Sequence, residues 1–183
     1  SLGRLILLKI DIRILSYLNS VEVKDLFLFT ILSILSFADF SLSSQNSFSS
    51  IPSSNSFILS GDTIVVAGRR IIGKPSDRNE AKEILRFLSG RRHRVLSAFT
   101  LIKPNLEEIT KLVTSKVKFS RLSENDLNEY LDTDEWRGKA GGYAIQSRAS
   151  SFVPWISGSY TGVMGFPINE VKNVLISLSL IHI

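Results

Sequence analysis

The chain changes character at Phe57, and this break constrains its fold more than any other feature. Upstream, Leu, Ile and Phe dominate as far as Phe40, and eleven of the twenty-five residues from Ser36 to Ser60 are serine. The part from Ser41 to Ser56 has few charges and no helical or strand period, so it reads as a loop or linker. Downstream, strand-like runs, helix caps and glycine punctuation agree with one another, as they do in a sequence that specifies one structure. The expected organisation is an atypical apolar and serine-rich segment over residues 1–56 and an α/β domain over residues 57–183.

Several classes drop out. The apolar run from Leu26 to Phe37 is bounded by Asp25 and Asp39 and is shorter than the roughly 20 residues a membrane span requires. Lys9, Asp11 and Arg13 interrupt the first apolar stretch, against a signal peptide. The chain has no cysteine, which excludes disulfide-stapled domains, thiolate zinc sites and cysteine nucleophiles. A cytoplasmic protein without a membrane partner is expected. The formal net charge is +5, and in residues 1–57 four basic side chains (Arg4, Lys9, Arg13, Lys24) balance four acidic ones (Asp11, Glu22, Asp25, Asp39). The whole excess lies after Phe57, which favours an anionic partner.

Within the second part, Phe57–Leu59 and Ile64–Val66 are β-rich runs, and Gly68-Arg69-Arg70 turns the chain before Ile71 and Ile72. Asp77 caps a helix whose apolar face is Ala81, Ile84, Leu85 and Leu88, with Gly90 as its stop. Val95–Ile102 and Ile109–Phe119 read as two long strands. Ser123 and Asp126 form a capping pattern before Leu127, Tyr130 and Leu131, and Pro167 opens a closing helix with Val171, Val174, Leu175 and Leu178 on one face.

The chemistry has few candidate carriers. There is no GxGxxG, no Walker loop and no paired histidines, and His93 at a helix-to-strand junction reads as a structural or surface residue rather than a catalytic one. Asp62, between apolar runs, is either a turn aspartate or a carboxylate balanced by a cation, metal or hydrogen bonds. Lys74, between Gly73 and Pro75, is either solvated or held as a point charge for phosphate. Arg137-Gly138-Lys139-Ala140-Gly141-Gly142-Tyr143 suits close backbone approach to an anion or a mobile loop. Gln146 is either a core or strand-edge residue or a reader of a base's polar edge. Arg69, Arg70, Arg91, Arg92 and Arg94 raise a nucleic-acid reading, which is set aside for want of an aromatic residue interleaved with them; no nucleic-acid partner is expected.

In order, Ser60-Gly61-Asp62-Thr63-Ile64-Val65-Val66, Ile72-Gly73-Lys74-Pro75, Leu88-Ser89-Gly90-Arg91 with His93 and Val95, Lys139-Ala140-Gly141-Gly142-Tyr143-Ala144-Ile145-Gln146, and Gly158-Ser159-Tyr160 with Val163-Met164-Gly165-Phe166-Pro167 resemble the Maf (septum-formation) family of nucleoside triphosphate pyrophosphatases. The resemblance implies an α/β fold with a central mixed twisted sheet flanked by helices, two lobes around a nucleotide cleft, as in inosine triphosphatases. It also implies hydrolysis of dTTP, UTP or related non-standard nucleotides to the monophosphate and pyrophosphate, with a divalent metal (Mg or Mn), and a homodimer. By the same resemblance Asp62 is the proton acceptor and metal ligand, Lys74 faces the phosphates, and Thr63 and Gln146 bear on nucleotide choice. Ser1-Leu2-Gly3-Arg4 matches the end of a phosphate-cradling turn that leads into a helix, with Arg4 as its second arginine.

The chain departs from the family pattern at its start. No lysine or arginine occurs between Lys24 and Arg69, where a basic helix is expected, so residues from about Asp11 to Asn55 are read as a frame-shifted or decayed stretch. The rival function is a catalytically impaired relative that binds nucleotide or has only a structural role.

Overall fold

The structure, a computed structural model, describes residues 4–9 and 56–180, with side chains described from Phe57 onward. The Leu26–Phe37 run and the serine-rich stretch to Asn55 lie outside the described residues.

Strand β1 (Arg4–Lys9) runs parallel to β2 (Ser56–Ala67), from Arg4 beside Ser56 to Lys9 beside Gly61. Arg4 thus opens a strand, where the resemblance implied a turn leading into a helix. Leu5-Ile6-Leu7-Leu8 is a continuous apolar run, the pattern of a parallel strand rather than of a half-solvated helix. After the Gly68–Arg69 turn, β3 (Arg70–Ile72) folds back antiparallel on Val65–Ala67. Helix α1 (Arg78–Leu88) follows, then β4 (Arg92–Ile102), β5 (Glu108–Lys118) and α2 (Glu124–Leu131). Two 3₁₀ turns (Ala140–Gly142 and Arg148–Phe152) precede β6 (Trp155–Ser157), and helices α3 (Tyr160–Met164) and α4 (Ile168–Ser177) close the described chain. The sheet order is β1-β2-β4-β5-β6, with β3 on β2. It is mixed, because β1 and β2 are parallel whereas β5 and β6 are antiparallel. No helix among the described residues is long and apolar enough to cross a membrane.

The chain divides into two compact units. Among the described residues the first comprises 4–9, 56–62 and 98–111; in it the β4–β5 connection is closed by the Lys103–Glu107 ion pair at 2.7 Å, and the Thr100 and Thr110 hydroxyls meet at 2.9 Å. The second comprises residues 63–97 and 112–183 and holds the main core, in which Leu85 and Leu88 of α1 and Leu127 and Leu131 of α2 pack with Val95, Val117 and Phe119. Local chemistry sets both helix starts. Asp77 accepts the Glu80 N–H at 2.8 Å, and Ser123 and Asp126 bond reciprocally in a capping box. The two helices are joined on the surface by Arg86 and Lys82, which both reach the Glu124 carboxylate. Arg86, followed by Lys82, holds that carboxylate down to about 2.

Candidate functional site

The parallel pairing of β1 with β2 ends at Gly61, and the antiparallel pairing of β3 with β2 begins at Val65. Asp62, Thr63 and Ile64 occupy the interval and are all half-buried. Asp62 therefore sits one residue past the carboxyl end of a parallel pair, where open α/β sheets characteristically receive ligands. Its carboxylate is the acidic group the sequence singled out, and it belongs to the first compact unit; Thr63, Lys74 and Gln146 belong to the second.

Thr63 is woven into the scaffold. Its hydroxyl oxygen lies 3.1 Å from Ser97 Oγ and 3.1 Å from the Gly165 carbonyl, while Ser97 donates to the Gly162 carbonyl. A hydroxyl carries one proton, so Thr63 serves one of its two neighbours at a time. Ser97 was not singled out from the sequence. The signal available was a polar residue inside the apolar run Val95-Leu96-Ser97-Ala98-Phe99, since a buried hydroxyl needs a partner.

Lys74 is half-buried in a turn that is braced from two sides. On one side the Gly73 carbonyl accepts the Gly141 N–H at 2.9 Å. On the other, the Ser76 amide and hydroxyl both donate to Glu80 on the first turn of α1, each at 2.7 Å. Gly141 is at φ +76°, and a Cβ there would come within 3.0 Å of Val65 Cγ2, so the close approach of this segment to β2 requires glycine. The Gly73-Lys74-Pro75 turn and the glycine-rich segment, sixty-odd residues apart in sequence, are thus brought together. Of the two cations in that segment, Arg137 is engaged by Asp134 at 3.0 Å and lies over the Trp136 ring, whereas Lys139 is exposed.

Gln146 does not continue an apolar strand. It is exposed on a turn over Ile145–Ser147, because the positive-φ glycines 141 and 142 have already broken the extended run. That turn is clamped at both ends. The Ala144 N–H donates to the Tyr130 hydroxyl at 3.1 Å, and Ser147 Oγ and the Arg148 N–H both donate to Glu135. The next residue inward, Tyr143, meets His93 Nε2 at 2.8 Å through its hydroxyl. His93 is 2 % exposed and edge-on to Phe119 and Tyr143, and burial pushes its imidazole down to about 4, so it is a neutral core residue. The structural reading of His93 from sequence agrees with this placement.

Among the described residues no three His, Asp or Glu side chains group as a metal centre. Magnesium keeps several of its waters and is commonly held by one or two carboxylates together with substrate phosphates. A single carboxylate such as Asp62 fits an ion carried in with a polyphosphate, not one held in a protein cage. For Arg4, only the backbone placement in β1 is described.

The architecture is a mixed α/β sheet with helices packed on it, with an aspartate one residue past the end of a parallel pair and, in the second unit, a lysine-bearing turn bonded to a glycine segment. Residues 38–178 match the family model described as "Maf-like protein", and the chain belongs to that family. Over 119 residues it is 50% identical to a dTTP/UTP pyrophosphatase of Rhodospirillum rubrum, covering 65% of this chain and 57% of that protein. It is 52% identical over 118 residues to a dTTP/UTP pyrophosphatase of Ruegeria sp. (strain TM1040), covering 64% and 61%. For one from Nitrobacter winogradskyi the values are 53% identity over 115 residues, 63% and 56%. The chain thus matches about three fifths of the length of these relatives.

Proposed function

We propose that this chain is a nucleoside triphosphate pyrophosphatase that cleaves the α–β phosphoanhydride of dTTP or UTP, releasing the monophosphate and pyrophosphate. The observation that carries the reading is the turn holding Lys74, bonded through Gly73 to Gly141. That hydrogen bond holds the lysine-bearing turn against a glycine-rich segment, and a lysine together with backbone that can approach an anion closely is a combination suited to a polyanion. The names of the relatives support the same substrate class.

In this reading Asp62 orients the attacking water and accepts its proton, while Lys74 neutralises charge gathering on the leaving pyrophosphate. Arg4 contributes to phosphate binding. Thr63 and Gln146 bear on base choice, and the exposed Gln146 amide offers both the donor and the acceptor that complement N3–H and a carbonyl of uracil or thymine. Magnesium or manganese bound at Asp62 supplies Lewis-acid neutralisation of the triphosphate. Residues 57–183 carry this machinery apart from Arg4, and the role is cytoplasmic clearance of nucleotides by a homodimer.

Pyrophosphate release from UTP and dTTP, with magnesium or manganese, tests the proposal against Asp62→Asn and Lys74→Ala. The wild-type chain is expected to turn over, and each substitution to lower kcat by roughly 10²- to 10³-fold, the usual loss for a transition-state contact. Equal and negligible release from all three would instead identify a relative that has lost catalysis, the outcome in keeping with the missing basic residues between Lys24 and Arg69.

A further inference from the structure

A basic surface that the pyrophosphatase reading leaves unused lies on one face of the sheet in the second unit. Adjacent strands β4 and β5 are tied at their ends by Gly90 N–H to the Ser120 carbonyl and Phe119 N–H to the Arg91 carbonyl, each at 2.9 Å. Stepping inward along this antiparallel pair sets Arg92 opposite Lys118 and Arg94 opposite Lys116. The next strand over, β6, places Trp155 beside Lys118 and Ser157 beside Lys116. Alternation fixes the face, because His93, Val95, Ser115 and Val117 are buried whereas Arg92, Arg94, Lys116 and Lys118 are exposed.

Two like-charged pairs directly opposite each other across one ladder destabilise a sheet. Among the described residues no carboxylate forms an ion pair with any of these four cations. Trp155 is 42% exposed, and the Arg92 guanidinium lies 5.3 Å from its ring centroid. The sequence separates Trp155 from the basic residues by tens of positions, so the interleaved aromatic that was missing from the linear pattern is supplied by strand register. A flat strand surface with four cations and an exposed indole complements a chain of phosphates carrying unstacked bases. An acidic peptide would satisfy the charges but would leave the indole without a stacking partner, whereas an anionic membrane, whose interface also accepts an indole, is an outcome the test separates.

We propose that this face binds single-stranded nucleic acid, with backbone phosphates on Arg92, Arg94, Lys116 and Lys118 and a base against Trp155. The proposal does not depend on the pyrophosphatase reading, since none of these residues belongs to the site described above. The test is fluorescence anisotropy of the full chain with a labelled 20-nucleotide oligo(dT) at several salt concentrations. The comparisons are Trp155→Ala and Lys116→Ser/Lys118→Ser, each checked for an unchanged melting curve, with heparin and phosphatidylserine vesicles as competitors. Four phosphate contacts predict a slope of log K against log salt near about −3. Trp155→Ala is expected to weaken binding by roughly tenfold without changing that slope, as loss of one stacked base does. Lys116→Ser/Lys118→Ser is expected to flatten the slope by about half. Should Trp155→Ala prove unstable, quenching of wild-type tryptophan emission by oligo(dT) but not by heparin reports the same stacking, because the other indole, Trp136, is 1% exposed. No binding at low salt, binding indifferent to Trp155, displacement by vesicles in preference to oligonucleotide, or a dimer that buries this face in solution would each overturn the proposal.

Discussion

His93 shows how one side chain can link packing, pH and the candidate site. It is buried with Nε2 on the Tyr143 hydroxyl, while its Nδ1 has no hydrogen-bond partner among the described residues. Burial lowers the imidazole from its ordinary 6.5 to about 4. A histidine lowered in the folded state stays neutral there while the unfolded chain takes up its proton, so its contribution to stability is complete above pH 6.5 and is lost as pH falls towards 4. A drop of roughly 3 kcal/mol across that window is expected from a shift of this size. Urea unfolding at a series of pH values should show this fall in the wild-type chain, and His93→Phe should remove the slope while lowering stability throughout, because the Tyr143 hydroxyl then lacks its partner. The Glu124 carboxylate, held near 2 in the folded state by Arg86 and Lys82, begins to lose its contribution as the unfolded chain protonates near the ordinary 4.5, so the histidine slope is read between pH 6.5 and about 5. A wild-type stability that stays flat from pH 6.5 to about 5 would contradict the neutral, buried histidine.

At the scale of elements, what could be read in advance was what depends on near neighbours in the chain. Asp77 and the Ser123–Asp126 pair set α1 and α2 where their caps predict, since a cap satisfies amides only two or three residues away. The hairpin at Gly68 and the two long strands were equally legible, because β-branched runs and turn residues act locally. Side-chain partners were not. Thr63 with Ser97, Tyr143 with His93, and Glu135 with Ser147 are fixed by register and packing across many residues, and composition carries no trace of them. Of the alternatives open for Gln146, its exposed turn position is neither core nor strand edge, because two glycines at positive φ stop the extended run that its apolar neighbours suggest. The cap at Asp77 also reaches the site, because α1 begins just after the turn that holds Lys74 and donates Glu80 to brace it. Asp77→Ala is expected to cost about 1 kcal/mol in urea unfolding. It should also raise KM for UTP more than it lowers kcat, as loosened positioning of a phosphate contact would. An unchanged KM would separate the cap from the site.

For the whole molecule, the unexpected element is β1, which covers the edge of β2 along Ser56–Gly61 while β3 covers Val65–Ala67. An edge strand without a neighbour presents a row of backbone donors and acceptors that templates pairing with another chain. Residues 4–9 therefore bear on solubility as well as on the fold, even though their run of Leu and Ile carries no recognisable chemistry beyond Arg4 and Lys9. Deleting residues 1–10 is expected to raise the light-scattering mass with protein concentration, relative to the full chain at the same concentration. Adding Phe57→Lys to the truncated chain should reverse that rise, because a charge on an edge strand disfavours edge-to-edge pairing. The two measurements together distinguish an uncovered edge from general loss of folding, since a misfolded chain would not be rescued by one lysine. If truncation leaves the mass unchanged at every concentration, β1 is not what protects β2, and the parallel pairing would have to be given up along with the strand placement of Arg4.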